Sequence, residues 1–383
     1  MEPVILGYRK SDPPMQRSFA LVRVTTEGGL VGWGEASTNW GYSYPTVFAA
    51  VVRDVVAGAL IGADARDIRA RTLDLHTHLD GYLGRDGLSA QAVGAVEIAL
   101  WDLAGKALDA PVCELLGAVA RPIELYGTGT TMFEATPQWH AHYFGQAVAA
   151  GFRGVKVRLG RSVPDDVATV EAVRDHLGEG VAIGVDSYWF HDARTALRVA
   201  EALAPLGVWF FEEPLPQHRE DDLVWLNARS PVPVAVGERV YTPETFARLA
   251  RTRAASIFQP DATICGGLRA CLDVAAGADG FGVRVVPHVG GPTAVGLAAN
   301  LHWTTAAGLD LMEWDIDPHQ PLIDAVEPAL ALAAITDGTA RVPDGPGLGV
   351  DVPDDLAERF PYVAGETYAD VFPEHERGKA VVA

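Results

Sequence analysis

Cysteine is scarce in this chain. Only Cys113, Cys265 and Cys271 occur in 383 residues, an odd number without paired spacing, so neither a disulfide framework nor a thiolate zinc site is indicated and a reducing cytoplasm fits. Basic residues are in deficit too. Lys and Arg number 30 against 50 Asp and Glu, a net charge of −20, which repels a phosphate backbone and an anionic bilayer. Neither nucleic acid nor a membrane is expected as a partner. The opening stretch MEPVILGYRKSDPP lacks a basic segment followed by an apolar core of roughly 7 to 15 residues, so no signal peptide is expected. No run approaches ~18 uninterrupted apolar residues, which removes the expectation of a transmembrane helix. Also missing are G-x-x-x-x-G-K-S/T, a dinucleotide glycine pattern after a strand, H-E-x-x-H and G-x-S-x-G, so no organic cofactor is implied.

What is present describes a soluble globular chain, with 49% hydrophobic and 21% charged residues, long enough for two or three domains by the usual size of about 150 residues each. Residues 1–45 read as strands: Arg17–Thr25 and Leu30–Ala36 flank the turn Glu27-Gly28-Gly29. Residues 46–116 read as helical, most clearly Ala90–Leu108, whose apolar positions recur at three- and four-residue spacing with Pro111 as a stop. From residue 123 the pattern changes. Eight short apolar runs, 123–129, 154–158, 181–186, 208–212, 232–238, 256–261, 283–288 and 311–314, alternate with amphipathic segments such as Asp165–His176, Ala193–Ala204, Pro243–Arg251 and Gly267–Ala276. That alternation predicts a parallel sheet, and eight units in so short a span favour a closed α/β barrel. The expected division is an α+β capping domain at 1–122, a barrel at 123–340, and a tail at 341–383 that returns to the cap after the Pro/Gly-rich stretch Val342–Val350.

Polar residues end nearly every barrel run. Lys156 and Arg158 close one; Asp186, Glu212, Glu238, Asp261, His288 and Glu313 close the next six at intervals of 23 to 27 residues. In a barrel such positions converge on the mouth at the C-terminal face, where active sites sit. Asp186, Glu212 and Glu238 stand on three consecutive strands, and three buried like charges raise one another's pKa unless a cation neutralises them. All-oxygen ligation favours a hard divalent ion, Mg²⁺ above all, with Mn²⁺ as the alternative. Asp261 beside His288 predicts a general acid/base dyad in which the carboxylate sets the imidazole's tautomer. Lys156 is expected to face the mouth from the opposite side as a cation or a base. His76 and His78, on a helical stretch, point to different faces and read as structural.

Taken together, Lys156-Val-Arg158, Val185-Asp186, Phe211-Glu-Glu-Pro214, Gly237-Glu238, Gln259-Pro-Asp261, Pro287-His288 and Leu311-Met-Glu-Trp314 resemble the enolase superfamily, in its mandelate racemase subgroup. Gly32-Trp-Gly-Glu35, Ala99-Leu-Trp-Asp102 and Pro346-Gly-Leu-Gly349 extend the likeness over nearly the whole chain. The resemblance implies a modified TIM barrel, (β/α)₇β, under a cap built from both termini, with Mg²⁺ on Asp186, Glu212 and Glu238. It implies a carboxylate substrate that loses its α-proton to form an enediolate, with Glu313 hydrogen-bonded to the substrate carboxylate. It also implies a homo-oligomer, a dimer or an octamer.

Two departures from the pattern narrow the expectation. The family's lysine pair is here Lys156-Val157-Arg158, and Arg, with a pKa above ~12, is an electrostatic clamp rather than a base. That disfavours a symmetric two-base racemase. Tyr188 stands where relatives carry Asn or, in some sugar-acid dehydratases, an additional histidine acid, so Tyr188 is expected to contact substrate instead. The leading expectation is a sugar-acid dehydratase with His288 as the base and Lys156 as the alternative base. A lactone cycloisomerase or an epimerase on the same scaffold is the second reading, and a non-catalytic metal-binding homologue the third. Substrate identity is expected to lie in two cap loops, Lys10–Gln16 and Thr38–Pro45, the latter carrying Trp40, Tyr42 and Tyr44.

Overall fold

A computed structural model describes residues 1–11, 14–38, 44–129, 135–188 and 191–364. The chain opens with a three-stranded antiparallel sheet, β1 (Glu2–Ser11), β2 (Pro14–Thr25) and β3 (Val31–Ala36) in that order. The registers run from Glu2 opposite Arg23 to Ser11 opposite Pro14. Of the stretch Lys10–Gln16, expected as a substrate loop, residues 10–11 and 14–16 therefore belong to two long paired strands, and residues 12 and 13 lie outside the described residues. Trp40 and Tyr42 lie outside the described residues.

The sheet packs on the helix Leu88–Leu108, which is buried almost all round. Glycine makes that possible: a Cβ on Gly34 would stand 1.8 Å from the Ala95 carbonyl oxygen, and one on Gly32 2.3 Å from that of Ala99. On its other side the same helix meets the barrel, where a Cβ on Gly94 would lie 2.8 Å from Gly267 N. A helix covered by a sheet on one face and a barrel on the other needs apolar residues on both, and its sequence supplies them.

The second sheet carries the parallel strands β4 (Ile123–Thr128), β5 (Gly154–Arg158), β6 (Ala182–Asp186), β7 (Val208–Glu212), β8 (Val234–Val236), β9 (Ile257–Phe258), β10 (Arg284–Val285) and β11 (Leu311–Asp315), with β11 paired to β4. A short antiparallel strand, β12 (Thr339–Ala340), also pairs with β4. Between β10 and β11 the Glu313 amide donates to the Pro287 carbonyl at 3.2 Å, which curls the sheet round on itself. Each strand from β4 to β10 is followed by a helix, so the architecture is the α/β barrel (β/α)₇β. Local chemistry starts those helices: the side chains of Thr136, Ser162, Asp192, Thr242 and Thr293 each accept from a first-turn amide.

Three strands are shorter than their apolar runs. Pro260 and Pro287 have no amide to give the ladder, and Gly237 leaves the strand at φ 156°, where a Cβ would stand 2.4 Å from Gln259 N. Glu238, Asp261 and His288 consequently sit in loops just beyond β8, β9 and β10 rather than on strand ends. After β12 the chain runs back to the cap: Leu348 N donates to Asp102 at 2.9 Å, and Gly7 N to the Phe360 carbonyl at 3.1 Å. Among the described residues no helix is long and apolar enough to cross a membrane.

Candidate active site

Lys156 is the third residue of β5 and Glu313 the third of β11, so both point inward from strand interiors rather than from strand ends. The Lys156 ammonium is buried at the centre of the mouth, 2.6 Å from Glu212 Oε1, 2.6 Å from Glu313 Oε1 and 3.7 Å from Asp186 Oδ2. It does not stand across from the acids; it lies among them. Burial works against its charge, but Glu212 and Glu313 outweigh burial and hold its proton more firmly than an ordinary lysine's.

Asp186 ends β6 and pairs through Oδ2 with Arg158, while its Oδ1 accepts from the Tyr188 amide at 2.8 Å. Glu212 ends β7 and also accepts from Gln259 Nε2 at 2.5 Å. Burial pushes the Glu212 carboxyl up to about 8; Lys156 opposes this, and Asp186, Glu313 and Glu238 add to it. Glu238 reaches His288 Nε2 at 3.1 Å and Arg239 Nε at 3.3 Å. Burial pushes Glu238 up as well, but the His288 hydrogen bond and the Arg239 charge leave it well below the usual carboxylate range.

His288 is held from both ends. Nδ1 is 3.0 Å from Asp261 Oδ2, and Nε2 faces Glu238 with Glu313 Oε2 at 3.9 Å. Asp261 is itself fixed, accepting from the Thr263 amide at 2.9 Å, the Thr263 hydroxyl at 2.7 Å and Asn300 Nδ2 at 2.9 Å. Because carboxylates only accept, Nδ1 donates to Asp261 and Nε2 to Glu238, so the imidazole holds a proton on each nitrogen, and Nε2 is the one presented to the mouth. Burial lowers the imidazole's pKa, but Glu313, Asp261 and Glu238 overcome it and push it up to about 10.

Each of three cations thus rests on one of three acids: Lys156 on Glu212, Arg158 on Asp186, Arg239 on Glu238. Ligand atoms of Glu212, Glu238 and His288 lie within 4.8 Å of one another, close enough to share a metal ion. The Glu212 carboxyl, raised first by burial and further by Asp186, Glu313 and Glu238, is one that a divalent cation would hold ionised, and the oxygen-rich donor set suits a hard ion.

Several participants escaped the reading of the sequence. Arg239 directly follows Glu238, and its guanidinium donates to the Tyr188 hydroxyl at 2.5 Å; the one signal was its place in Gly237-Glu-Arg239. Gln259 and Asn300 act through Glu212 and Asp261. Glu213, the second acid of Phe211-Glu-Glu-Pro214, is buried at φ 43°, accepts from Gln217 at 2.6 Å, and is pushed up to about 8 by burial and by Glu238. Tyr188 is buried in the mouth at φ 49°. Tyr44 is 53% exposed ahead of the helix Pro45–Val51, in contrast to the buried constellation.

A profile for the Enolase C-terminal domain-like family matches residues 141–356, and one for the Mandelate racemase / muconate lactonizing enzyme, N-terminal domain matches residues 12–117. The chain belongs to the mandelate racemase/muconate lactonizing enzyme family of the enolase superfamily. This enolase-superfamily protein is 32% identical over 359 residues to a D-galactarolactone cycloisomerase of Agrobacterium fabrum, covering 90% of this chain and 92% of the relative. It is 28% identical over 358 residues to an arabinonate dehydratase of Saccharolobus solfataricus, covering 91% and 92%. Among solved structures, a member of the enolase superfamily from Polaromonas sp. JS666 superposes with a TM-score of 0.88 at 27% identity, over 96% of this chain and 98% of that one.

Proposed function

We propose that this protein abstracts the proton α to the carboxylate of an acid sugar and expels the β-hydroxyl as water, as a sugar-acid dehydratase. The observation that carries the reading is His288, its Nδ1 tied to Asp261 and its Nε2 presented beside Glu238 and Glu313. Asp186, Glu212 and Glu238 would hold Mg²⁺ or Mn²⁺; the ion, when bound, supplies a Lewis acid for carboxylate oxygens. Arg158 stays charged at any working pH and clamps an anionic substrate near Asp186. Glu313, anchored by the Val289 amide at 3.1 Å, in its protonated form hydrogen-bonds and orients the substrate carboxylate.

Once Nε2 of His288 has given up the proton it shares with Glu238, it takes the α-proton and, where the leaving hydroxyl is on the same face, hands that proton to the departing oxygen. Lys156 Nζ is the second group able to carry the proton. Tyr188 contacts substrate from the mouth wall. In this reading residues 123–340 carry the chemistry, while residues 1–122 with 341–383, including Trp40, Tyr42 and Tyr44, select the substrate. The working enzyme is a cytoplasmic homo-oligomer, a location in keeping with three unbridged buried cysteines.

A lactone cycloisomerase is the second reading, favoured by the Agrobacterium relative's activity and by the stretch Arg284-Val-Val-Pro-His-Val289. Product mass decides. Purified protein with Mg²⁺ is incubated in D₂O with acid sugars and their lactones and read by mass spectrometry: water loss supports the dehydratase, and deuterium uptake without water loss supports the isomerase. No change in any compound overturns both.

A further inference from the structure

We infer that Arg17, a residue of the cap, is a positioning residue for proton abstraction: it seats the cap strands on the loop that carries His288 and so fixes where the base stands. The inference rests on the proton-abstraction reading above and adds a residue to it. Arg17 lies on β2 opposite Tyr8 of β1, and beyond this pair the register continues to Ser11 opposite Pro14. Its side chain is buried. The guanidinium crosses from the cap to the barrel: Nη2 donates to the Gly291 carbonyl at 3.1 Å and stands 3.6 Å from Asp315 Oδ2, while Nη1 is 3.9 Å from Asp317 Oδ2. Tyr8 and Phe19 stack on one another, and each ring centroid is 5.8 Å from the guanidinium carbon. The Tyr8 hydroxyl donates to the His319 carbonyl at 3.2 Å, so this cross-strand pair grips the segment after β11 as well as the one after β10.

The loop that receives Arg17 is tied at every residue from 288 to 291. His288 Nδ1 meets Asp261 Oδ2 at 3.0 Å, the Val289 amide donates to Glu313 at 3.1 Å, the Gly290 amide donates to Asp261 at 3.3 Å, and the Gly291 carbonyl accepts from Arg17. Three of these ties are made within the mouth; the fourth comes from the cap. Gly290 and Gly291 have the widest backbone freedom in this stretch, and Gly291 stands at φ 62°, so an outside hold is what selects one conformation there. A base has to stand within hydrogen-bond reach of the proton it takes, and a misplacement of about 1 Å costs about 10² in rate. Asp315 ends β11 two residues after Glu313, so one guanidinium refers the loop of the base and the strand of Glu313 to the same point. A planar fork reaches a carbonyl and two carboxylates at once, which a lysine's single ammonium does not.

Two variants test this. Arg17→Lys keeps a cation beside Asp315 and Asp317 and gives up the fork, so it remains informative where Arg17→Gln, which leaves those acids without the charge, folds poorly. The first readout is amide hydrogen exchange of the Mg²⁺-loaded protein, read by mass spectrometry on the peptide holding residues 288–291, where protection should fall by about tenfold. The second is turnover of whichever acid sugar or lactone the wild type converts. Per folded molecule, counted by near-ultraviolet circular dichroism, kcat should fall by about tenfold to about a hundredfold while KM stays within about threefold. A substrate deuterated at the α-carbon should show an isotope effect on kcat at least as large as with wild type, because proton transfer is the step that slows. A merely structural role lowers the folded fraction and leaves kcat per folded molecule unchanged. Unchanged protection at 288–291 overturns the inference, and so does faster exchange at wild-type kcat. A rise in KM at wild-type kcat overturns it too, since the cap strands would then hold substrate and not the base; so does a slower kcat with a smaller isotope effect. A wild type that converts no compound is a different failure: it removes the proton-abstraction reading and this role of Arg17 with it.

Discussion

At His288 two neighbours decide which nitrogen does chemistry. Asp261 is engaged by Thr263 and Asn300 and holds Nδ1 as a donor, so Nε2 alone faces the mouth. Replacing His288 by Asn keeps a polar group of similar reach but removes the proton carrier, and kcat should fall by about 10² to about 10⁴. Mg²⁺ titration of the same variant separates two ligand sets: unchanged affinity fits Asp186, Glu212 and Glu238, whereas lost affinity places the imidazole with Glu212 and Glu238. Lys156 makes a different argument. Its ammonium lies 2.6 Å from both Glu212 and Glu313, and Lys156→Met leaves two buried acids without that charge, a loss of about 3 to 5 kcal/mol. Urea unfolding of metal-free protein reads it, and Mg²⁺ should recover part of the loss by supplying positive charge to Glu212. A metal-free variant as stable as wild type would mean that the ammonium offsets no repulsion between these acids.

Among the elements, the eight strand runs and the helices between them were legible because apolar runs alternate with amphipathic segments. The expected helix Ala90–Leu108 and the observed Leu88–Leu108 differ by two residues. Strand ends were less legible. The runs through Gly237, Pro260 and Pro287 are apolar enough for longer strands, but a missing amide or an unusual φ ends the ladder early. Arg239 was missed because its role depends on Tyr188, 51 residues away, and no local pattern reports that meeting. The seam between β3 and the helix was likewise hidden in Gly32-Trp-Gly34, which read as part of a motif rather than as a contact. Gly34→Ala tests it: the new methyl would sit 1.8 Å from a helix carbonyl that cannot swing away. Overpacking of this kind costs about 1 to 3 kcal/mol and here belongs at the upper end. Thermal unfolding should show it, and a melting temperature equal to wild type would mean the strand and helix can separate without loss.

Across the whole molecule, carboxylates from the cap are buried on helix starts of the barrel. Glu35 accepts from the Thr293 amide at 2.9 Å, its hydroxyl at 2.6 Å and the Gly296 amide at 2.8 Å; Glu97 accepts from the Leu268 amide at 2.8 Å and the Arg269 amide at 3.1 Å. The helices Leu268–Asp279 and Ala294–Ala306 follow the loops that carry Asp261 and His288, so the cap is fastened beside the dyad. Negative charge at a helix start is favourable, but burial is costly, and it pushes both acids from the ordinary 4.5 up to about 7 against their hydrogen bonds. A raised acid binds its proton more tightly in the folded chain than in the unfolded one. Its contribution to stability is therefore complete below pH 4.5 and is lost as pH rises to about 7. Each acid accounts for up to about 3 kcal/mol over that window. The melting temperature should fall between about pH 5 and about pH 7, and Glu35→Gln, which cannot ionise, should flatten part of the slope, Glu97, Glu212 and Glu213 being raised as well. A slope that survives in Glu35→Gln and in Glu97→Gln would mean that the helix starts stabilise the ionised carboxylates fully. The pH dependence would then arise either from the buried acids of the mouth, Glu212 and Glu213, or from the surface of a chain with net charge −20, and added salt separates the two because it screens the surface and leaves buried acids unmoved.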